Sequence, residues 1–470
     1  MGPAMAKLFE SEFGKCDSLY TPNDLRADMP REHGITIGYK QGHTGCKRGT
    51  EATRGTTDES YQHLVSYSYV LEHNNPGTVT CIETNSRNVF VYYFMALGVC
   101  LDGFKNFSRT TISIDGTHLI GERAGVLLSA IGLDANEEIY PVAFGIVDSE
   151  NDDSWDWFIK KLFDALGSEY LKKNRDPVVV SDRSDHIHRA MANRYPAVCH
   201  VFCVYHIKRN ILKKFHDVDA ANSFIIAAKA YTPCHYNNAM KDFLKQSSAA
   251  VRYVQEIGEH RWSRVEAIRA RFTLMTTNIS ESWNAKIKKA KSLPICHLVD
   301  FIRRSLMEWF EELREKALRW TPPLTPYADR ILEERWELAK LFSSCRIIGD
   351  KYELIERGIN DQHQVNILEK SCTCRVINYE HLPCPHVLAV CEKYKLRIVP
   401  LCGDYYQTWK WRSMYAPAIY PALSSEYWNV PKSVAARIVL NPNTRRGKGR
   451  PKGDRIRCVS EKSRKLSKKR

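Results

Sequence analysis

Thr111-Ile112-Ser113-Ile114-Asp115 opens the stretch that decides the fold. Polar and apolar side chains alternate along it, the period-2 signature of a strand with one face toward a core. Residues 125–133 and 140–148 follow as short apolar runs bounded by Gly, Asn and Asp, so three consecutive strands joined by tight turns, an antiparallel meander, are expected. Residues 154–166 then set Trp155, Phe158, Ile159, Leu162 and Phe163 at helical spacing, with Asp153 or Ser154 suited to cap the N-terminus. Pro177-Val178-Val179-Val180-Ser181-Asp182 reads as another buried strand, followed by a helix over 188–193, a strand over 197–204 and more helix. The order β-β-β-α-β-α-β-α predicts an α/β fold with a mixed sheet.

Working outward, residues 207–275 read as a helical insertion and 300–342 as further helix. Residues 352–370 carry weak strand signals, and 421–442 form a loose exit. On the N-terminal side residues up to about 105 are of mixed polarity, with a turn-rich opening at Thr21-Pro22-Asn23-Asp24 and Gln41-Gly42-His43-Thr44-Gly45 and one helix expected over 61–72, stopped by Asn75-Pro76-Gly77. The predicted organisation is an N-terminal region over 1–105, a main domain over 106–345, a small metal module over 350–400, an extension over 401–443 and a tail over 444–470.

Of the formal charge of +15, +11 sits in that tail, where thirteen Lys or Arg face only Asp454 and Glu461. Such a run repels itself, is expected to be disordered, and is drawn to polyanions. Lys448-Gly449-Arg450-Pro451-Lys452-Gly453 within it is close to an AT-hook core, so Lys448, Arg450 and Lys452 are candidate nucleic-acid contacts in a minor groove. DNA and a nuclear location are the expected partner and place. No apolar run is long enough to span a bilayer, and nothing in the sequence calls for an organic cofactor or a membrane. The fifteen cysteines are scattered along a chain with no signal peptide, so clustered Cys and His suggest metal before cross-links.

Cys372-Thr373-Cys374 and Cys384-Pro385-His386 form such a cluster. Four soft ligands satisfy tetrahedral Zn²⁺ with no open position, which predicts a structural ion. The first pair follows a strand-like stretch and belongs on a hairpin; the second opens an amphipathic helix, giving a ββα unit in which Cys391 is core. A unit that small draws much of its folding free energy from the metal.

Asp115 and Asp182 end the first and fourth strands, and a right-handed crossover makes those strands neighbours, so both carboxylates are expected at one sheet edge. Glu281 opens a helix that Asn278 or Ser280 could cap. Three crowded acids call for a cation such as Mg²⁺, although an Asp at a strand end is more often a turn or cap residue; Asp148, Asp152 and Asp153 are read that way. Cys203 and His206 are either half of a second zinc site or, the preferred reading, hydrogen-bonding support for that edge. Cys199-His200 and Cys234-His235 read as incidental pairs.

Asp115-Gly116-Thr117-His118-Leu119, Ser154-Trp155-Asp156-Trp157-Phe158, Ser181-Asp182-Arg183, Cys203-Val204-Tyr205-His206 and Thr277-Asn278-Ile279-Ser280-Glu281-Ser282-Trp283-Asn284 together resemble the motifs of Mutator-like element transposases of plants, over roughly residues 30–430. The zinc quartet resembles the SWIM finger that commonly follows their catalytic region. The resemblance implies a ribonuclease-H-like fold in which Asp115, Asp182 and Glu281 bind Mg²⁺ or Mn²⁺, cut DNA at element ends and join the freed 3′-hydroxyl to a target. Proteins of this kind work as multimers, so a homo-oligomer is expected. The alternatives are a domesticated, non-catalytic DNA-binding regulator with the same fold, and a zinc-dependent protein-interaction scaffold. No terminal zinc knuckle or upstream DNA-binding domain is evident, which suggests a truncated copy.

Overall fold

Parallel pairing of Thr111, Ile112 and Ser113 with Val178, Val179 and Val180 joins the first and fourth predicted strands, and the rest of the sheet grows from that junction. The structure, a computed structural model, describes residues 21–120, 125–168, 170, 177–267, 274–356, 358 and 362–442. The basic tail, with Lys448, Arg450 and Lys452, lies outside the described residues.

Three helices, α1 (Pro22–His33), α2 (Tyr39–Arg54) and α3 (Thr57–Asn74), precede β1 (Val79–Thr84), β2 (Phe90–Ala96) and α4 (Gly98–Phe107). The meander follows as β3 (Thr111–His118), β4 (Val126–Leu133) and β5 (Ile139–Val147). Then come α5 (Asp152–Leu166), β6 (Val178–Ser181), α6 (Asp185–Arg194) and β7 (Cys199–Phe202). The sheet has seven strands in the order β1-β2-β5-β4-β3-β6-β7. β3, β6 and β7 run parallel and the remaining pairs antiparallel. The expected meander and the β3–β6 adjacency are therefore present; β1 and β2 add two strands to the same sheet where no strand was expected, and α1 and α2 occupy the opening read as turn-rich.

Both faces of the sheet are covered, which explains why β4 and β5 read as continuous apolar runs rather than alternating ones. Adjacent residues of β5 point to opposite layers: Phe144 meets the Trp283 ring at 5.3 Å, while Gly145 lies under Phe158 of α5. A Cβ at Gly145 would sit 2.7 Å from the Phe158 ring, so α5 rests directly on this backbone. Gly145→Ala should cost about 1–3 kcal/mol by overpacking. A fall in urea midpoint with unchanged m-value checks this; an unchanged midpoint would mean that α5 does not press on β5 here.

The N-cap of α5 is Asn151, not Asp153 or Ser154 as expected, because its side chain accepts from Ser154 N at 2.8 Å while the Ser154 hydroxyl accepts from Asn151 N at 3.0 Å. This reciprocal box satisfies two helix-end donors at once, which a single cap one residue later could not. Asp152 binds His186 at 2.6 Å and Arg189 at 2.8 Å, tying α5 to α6.

Beyond β7, α7 (Val204–Phe215), α8 (Val218–Lys229), α9 (Pro233–Gln246) and α10 (Ser248–Ile257) form the helical insertion around their own core of Phe224, Phe243, Val254 and Trp262. The chain returns to the main core through α11 (Asn278–Lys286) and the long α12 (Ile295–Arg319). After α13 (Pro326–Ala339), a second sheet of order β11-β10-β9-β8 is built from β8 (Phe342–Ile348), β9 (Lys351–Glu356), β10 (Gln362–Asn366) and β11 (Ser371–Cys372). It packs with α14 (Val376–Glu380) and α15 (Pro385–Tyr394).

The chain after the second sheet returns to the main domain. In α16 (Thr408–Tyr415), Trp411 Nε1 and Tyr415 OH each donate to the buried Asp134 carboxylate at 2.9 Å. The exit read as loose is pinned to β2, where Phe90 N donates to Leu440 O and Leu440 N to Asn88 O, both at 2.8 Å.

Candidate catalytic edge and zinc centre

The β3–β6 register that pairs Ser113 with Val180, continued by two residues, sets Asp115 opposite Asp182. Asp115 does not end its strand as expected: β3 runs on to His118 through antiparallel pairing with β4, after the parallel pairing with β6 has stopped. The divergence of the two neighbours opens a gap at the edge, and Asp115 lines it. Burial and then the Asp182 carboxylate push the Asp115 pKa up to about 7. Asp182 is held by a turn bond, its Oδ1 accepting from Ser184 N at 3.0 Å.

The α11 helix closes this gap from the other side. The Ser280 hydroxyl donates to the Ser113 hydroxyl at 2.8 Å, and Asn284 Nδ2 donates to Asp115 Oδ2 at 3.0 Å. The N-cap of α11 is Thr277 rather than Asn278 or Ser280, because the Ser280 hydroxyl is taken up by that contact with β3. Glu281 is 45% exposed and faces His206, with its Oε1 3.8 Å from Nε2. Cys203 is wholly buried and accepts from Thr277 N at 3.2 Å, while His206 Nδ1 lies 3.3 Å from the Thr277 hydroxyl. Burial opposes ionisation of the Cys203 thiol, but hydrogen bonds with His206 and Thr277 leave its pKa lowered. The His206 pKa is raised, first by Cys203 and then by Asp182 and Glu281. Cys203 and His206 thus bracket the start of the helix that carries Glu281.

Among the described residues, Asp115, Asp182 and Glu281 are not a group whose donor oxygens all lie within 4.8 Å of one another. Asp115 and Asp182 interact directly, whereas Glu281 meets this pair through His206. A fourth acid, absent from the sequence reading, shares the gap. The Glu150 carboxylate lies against Gly116, where a Cβ would sit 2.8 Å from Cδ, and its pKa is raised by burial and by Asp182. Its one sequence signal is Gly116 beside Asp115, which leaves room for a side chain against that strand. His200, read as incidental, is a half-buried ring: desolvation lowers its pKa to about 3, and Nε2 lies 2.8 Å from the Ser181 hydroxyl.

The second centre is local. The β10–β11 hairpin ends in Cys372, with Cys374 two residues on, and Cys384 stands at the start of α15, whose first turn holds Pro385 and His386. Donor atoms of Cys372, Cys374, Cys384 and His386 all lie within 4.8 Å of one another. His386 Nδ1 points inward, 3.4 Å from Cys372 Sγ and 3.8 Å from Cys384 Sγ. The Cys372 and Cys384 thiols lower the pKa of Cys374, and burial raises that of Cys384. A Cys₃His set of this kind matches a closed tetrahedral zinc site. His363 and Phe342 hold the His386 ring, with centroids 3.7 Å and 4.5 Å away, a packing role that the sequence did not signal. Cys391 is buried in α15.

The zinc module is tied to the insertion as well as to α13. Glu380 of α14 forms an ion pair with Arg335 and accepts from the Tyr231 hydroxyl, while Arg264 lies 4.1 Å from the Tyr231 ring centroid.

Comparison with known families matches residues 111–210 to the MULE transposase domain and residues 360–395 to the SWIM zinc finger. The first span holds Asp115, Asp182, Cys203 and His206; the second holds all four zinc-site residues. The transposase for insertion sequence element IS905 of Lactococcus lactis subsp. lactis (strain IL1403) is 23% identical over 278 residues, covering 56% of this chain and 66% of that relative, a little under two thirds of its length. A transposase domain of this type followed by a zinc finger defines the class. The chain carries a MULE transposase domain and a SWIM zinc finger, and it is similar to transposases. The relative is bacterial, so a specifically plant affinity does not follow from it.

Proposed function

We propose that this chain cuts DNA at element ends and transfers the freed 3′-hydroxyl to target DNA, with Asp115, Asp182 and Glu281 as ligands of Mg²⁺ or Mn²⁺. The observation that carries the reading is the paired acids at one sheet edge, where burial and Asp182 push Asp115 up to about 7. Two like charges held together in a shielded gap destabilise the fold, an arrangement typical of sites that bind a cation or exchange a proton. Oxygen donors suit Mg²⁺ or Mn²⁺ rather than zinc. The donor set is extended by Asn284, whose Oδ1 is buried without a hydrogen-bond partner among the described residues while its Nδ2 holds Asp115. Bound there, divalent ions would activate water and stabilise the leaving oxygen of a phosphodiester.

The chain's own residues do the positioning. Asn284 orients the Asp115 carboxylate, the Ser184 amide holds Asp182, and His206 holds Glu281. The reading carries with it a nuclear location and a homo-oligomer assembled on paired DNA ends. Wild type and Asp182→Asn, assayed on terminal-repeat duplex with Mg²⁺ or Mn²⁺, test it. Cleavage and strand transfer by wild type alone are expected; equal product from both would overturn the assignment.

A further inference from the structure

We infer that the turn following the Glu281 helix is a docking track for the phosphate backbone of DNA, with Lys288 and Lys289 as its contacts. The inference rests on the DNA-processing reading above and names a surface that delivers the DNA to the acidic edge.

The stretch Lys286-Ile287-Lys288-Lys289-Ala290-Lys291 places four lysines in six residues. Trp283, Ile287 and Ala290 are wholly buried, and their spacing of four and three residues fixes one face of this segment in the core. Lys286, Lys288 and Lys289 are thereby turned outward. Two of the four lysines are engaged elsewhere. Lys286 lies over the Trp309 ring, 4.0 Å from its centroid, and Lys291 folds back to donate to the Thr117 hydroxyl on β3.

Lys288 and Lys289 are exposed and have no ion pair among the described residues. Three other exposed lysines are matched by acids three or four residues away: Lys160 by Asp164, Lys316 by Glu312 and Lys340 by Glu337. No acid stands three or four residues to either side of Lys288 or Lys289. The positive charge is therefore uncompensated, and Lys288 acts electrostatically on Lys291 as well.

The place of this charge selects the partner. Lys291 O accepts from Ile120 N at 2.9 Å, so the turn is tied to the end of β3, and Asn284, four residues before Lys288, touches Asp115. That is roughly one helical turn, about 6 Å along the chain axis. Two adjacent lysines one turn from the acids match a polyanion that passes its phosphates along them to reach the acids, and DNA gains binding free energy there by releasing counterions.

The test is equilibrium binding of the full chain to a labelled duplex at salt concentrations from 50 to 200 mM, comparing wild type, Lys288→Ala/Lys289→Ala and Lys288→Arg/Lys289→Arg. Each lost phosphate contact lowers the slope of log K against log salt by about 0.9, so the alanine pair should lower it by about 1.8. Its affinity deficit relative to wild type should then shrink about 12-fold across that range. The arginine pair should keep the wild-type slope, and circular dichroism should show all three folded alike. An alanine pair with the wild-type slope and affinity would overturn the track. That failure is distinct from failure of the catalytic reading, which appears as wild type and Asp182→Asn giving equal cleavage whatever the binding slope.

Discussion

Asp115→Asn is expected to make the protein more stable and to stop it cutting DNA. The native carboxylate has a pKa of about 7 against an ordinary 3.8, because burial and then Asp182 oppose its charge. The unfolded chain loses this proton first as pH rises, so the native state binds more protons between about pH 4 and pH 7 and stability falls across that window. Below pH 4 both states are protonated and no penalty exists; above pH 7 it is complete. At about 1.4 kcal/mol per unit the full penalty is on the order of 4 kcal/mol, and a neutral amide of the same shape removes it.

Thermal melts without added divalent ions should therefore show a gain for Asp115→Asn at pH 8 that vanishes at pH 4. Cleavage should fall on the order of 10²–10³-fold or more, the scale seen when one preorganised charge-stabilising group is removed from a reaction centre. Gain of stability with loss of activity is the mark of a group kept for chemistry rather than for folding. A variant that melts lower than wild type at pH 8 and still cuts would assign Asp115 to the core.

Loss of the zinc quartet should have the largest structural effect. Cys384→Ser removes a buried ligand at the start of α15, and the variant should carry one fewer tightly bound zinc by metal analysis. Structural zinc contributes an apparent ~10–16 kcal/mol to modules of this kind, more than a core the size of this one can replace. Hydrogen exchange should lose its protection over β10, β11 and α15. Because Glu380 bridges to Arg335 and Tyr231, protection should also weaken at α13 and at the end of α8, while the seven-stranded sheet stays protected. Unchanged zinc content in the variant would refute the ligand set; unchanged exchange at α13 and α8 would show that the bridge carries no coupling.

The legible parts of this protein are those whose signal is local. Residues 125–133 and 140–148 read as strands because burial on both faces leaves an unbroken apolar run, and α5 reads as a helix because its aromatic stripe has one period. The zinc quartet is legible for the same reason: its residues lie within fifteen positions of one another, and their type and spacing state the chemistry. By contrast β1, an edge strand, has only Ile82 fully buried, so its sequence carries little strand pattern. The extra strand β8 is mostly exposed, and beyond Phe342 its residues carried no strand signal for the same reason.

By itself the sequence determined the meander, the crossover that brings β6 beside β3, the helical insertion and the zinc ligand set, since each depends on periodicity or spacing within a short window. Only the tertiary structure decided which acids share the gap. Glu150 enters because Gly116 has no side chain to exclude it, and Glu281 meets His206 because Cys203 and Thr277 hold the two helix starts together. It also decided that Leu440 closes on Phe90 and that Lys288 and Lys289 face outward just after the helix whose Asn284 touches Asp115. These contacts join residues far apart in the chain, and their free energy is set by packing, desolvation and charge, which no local pattern records.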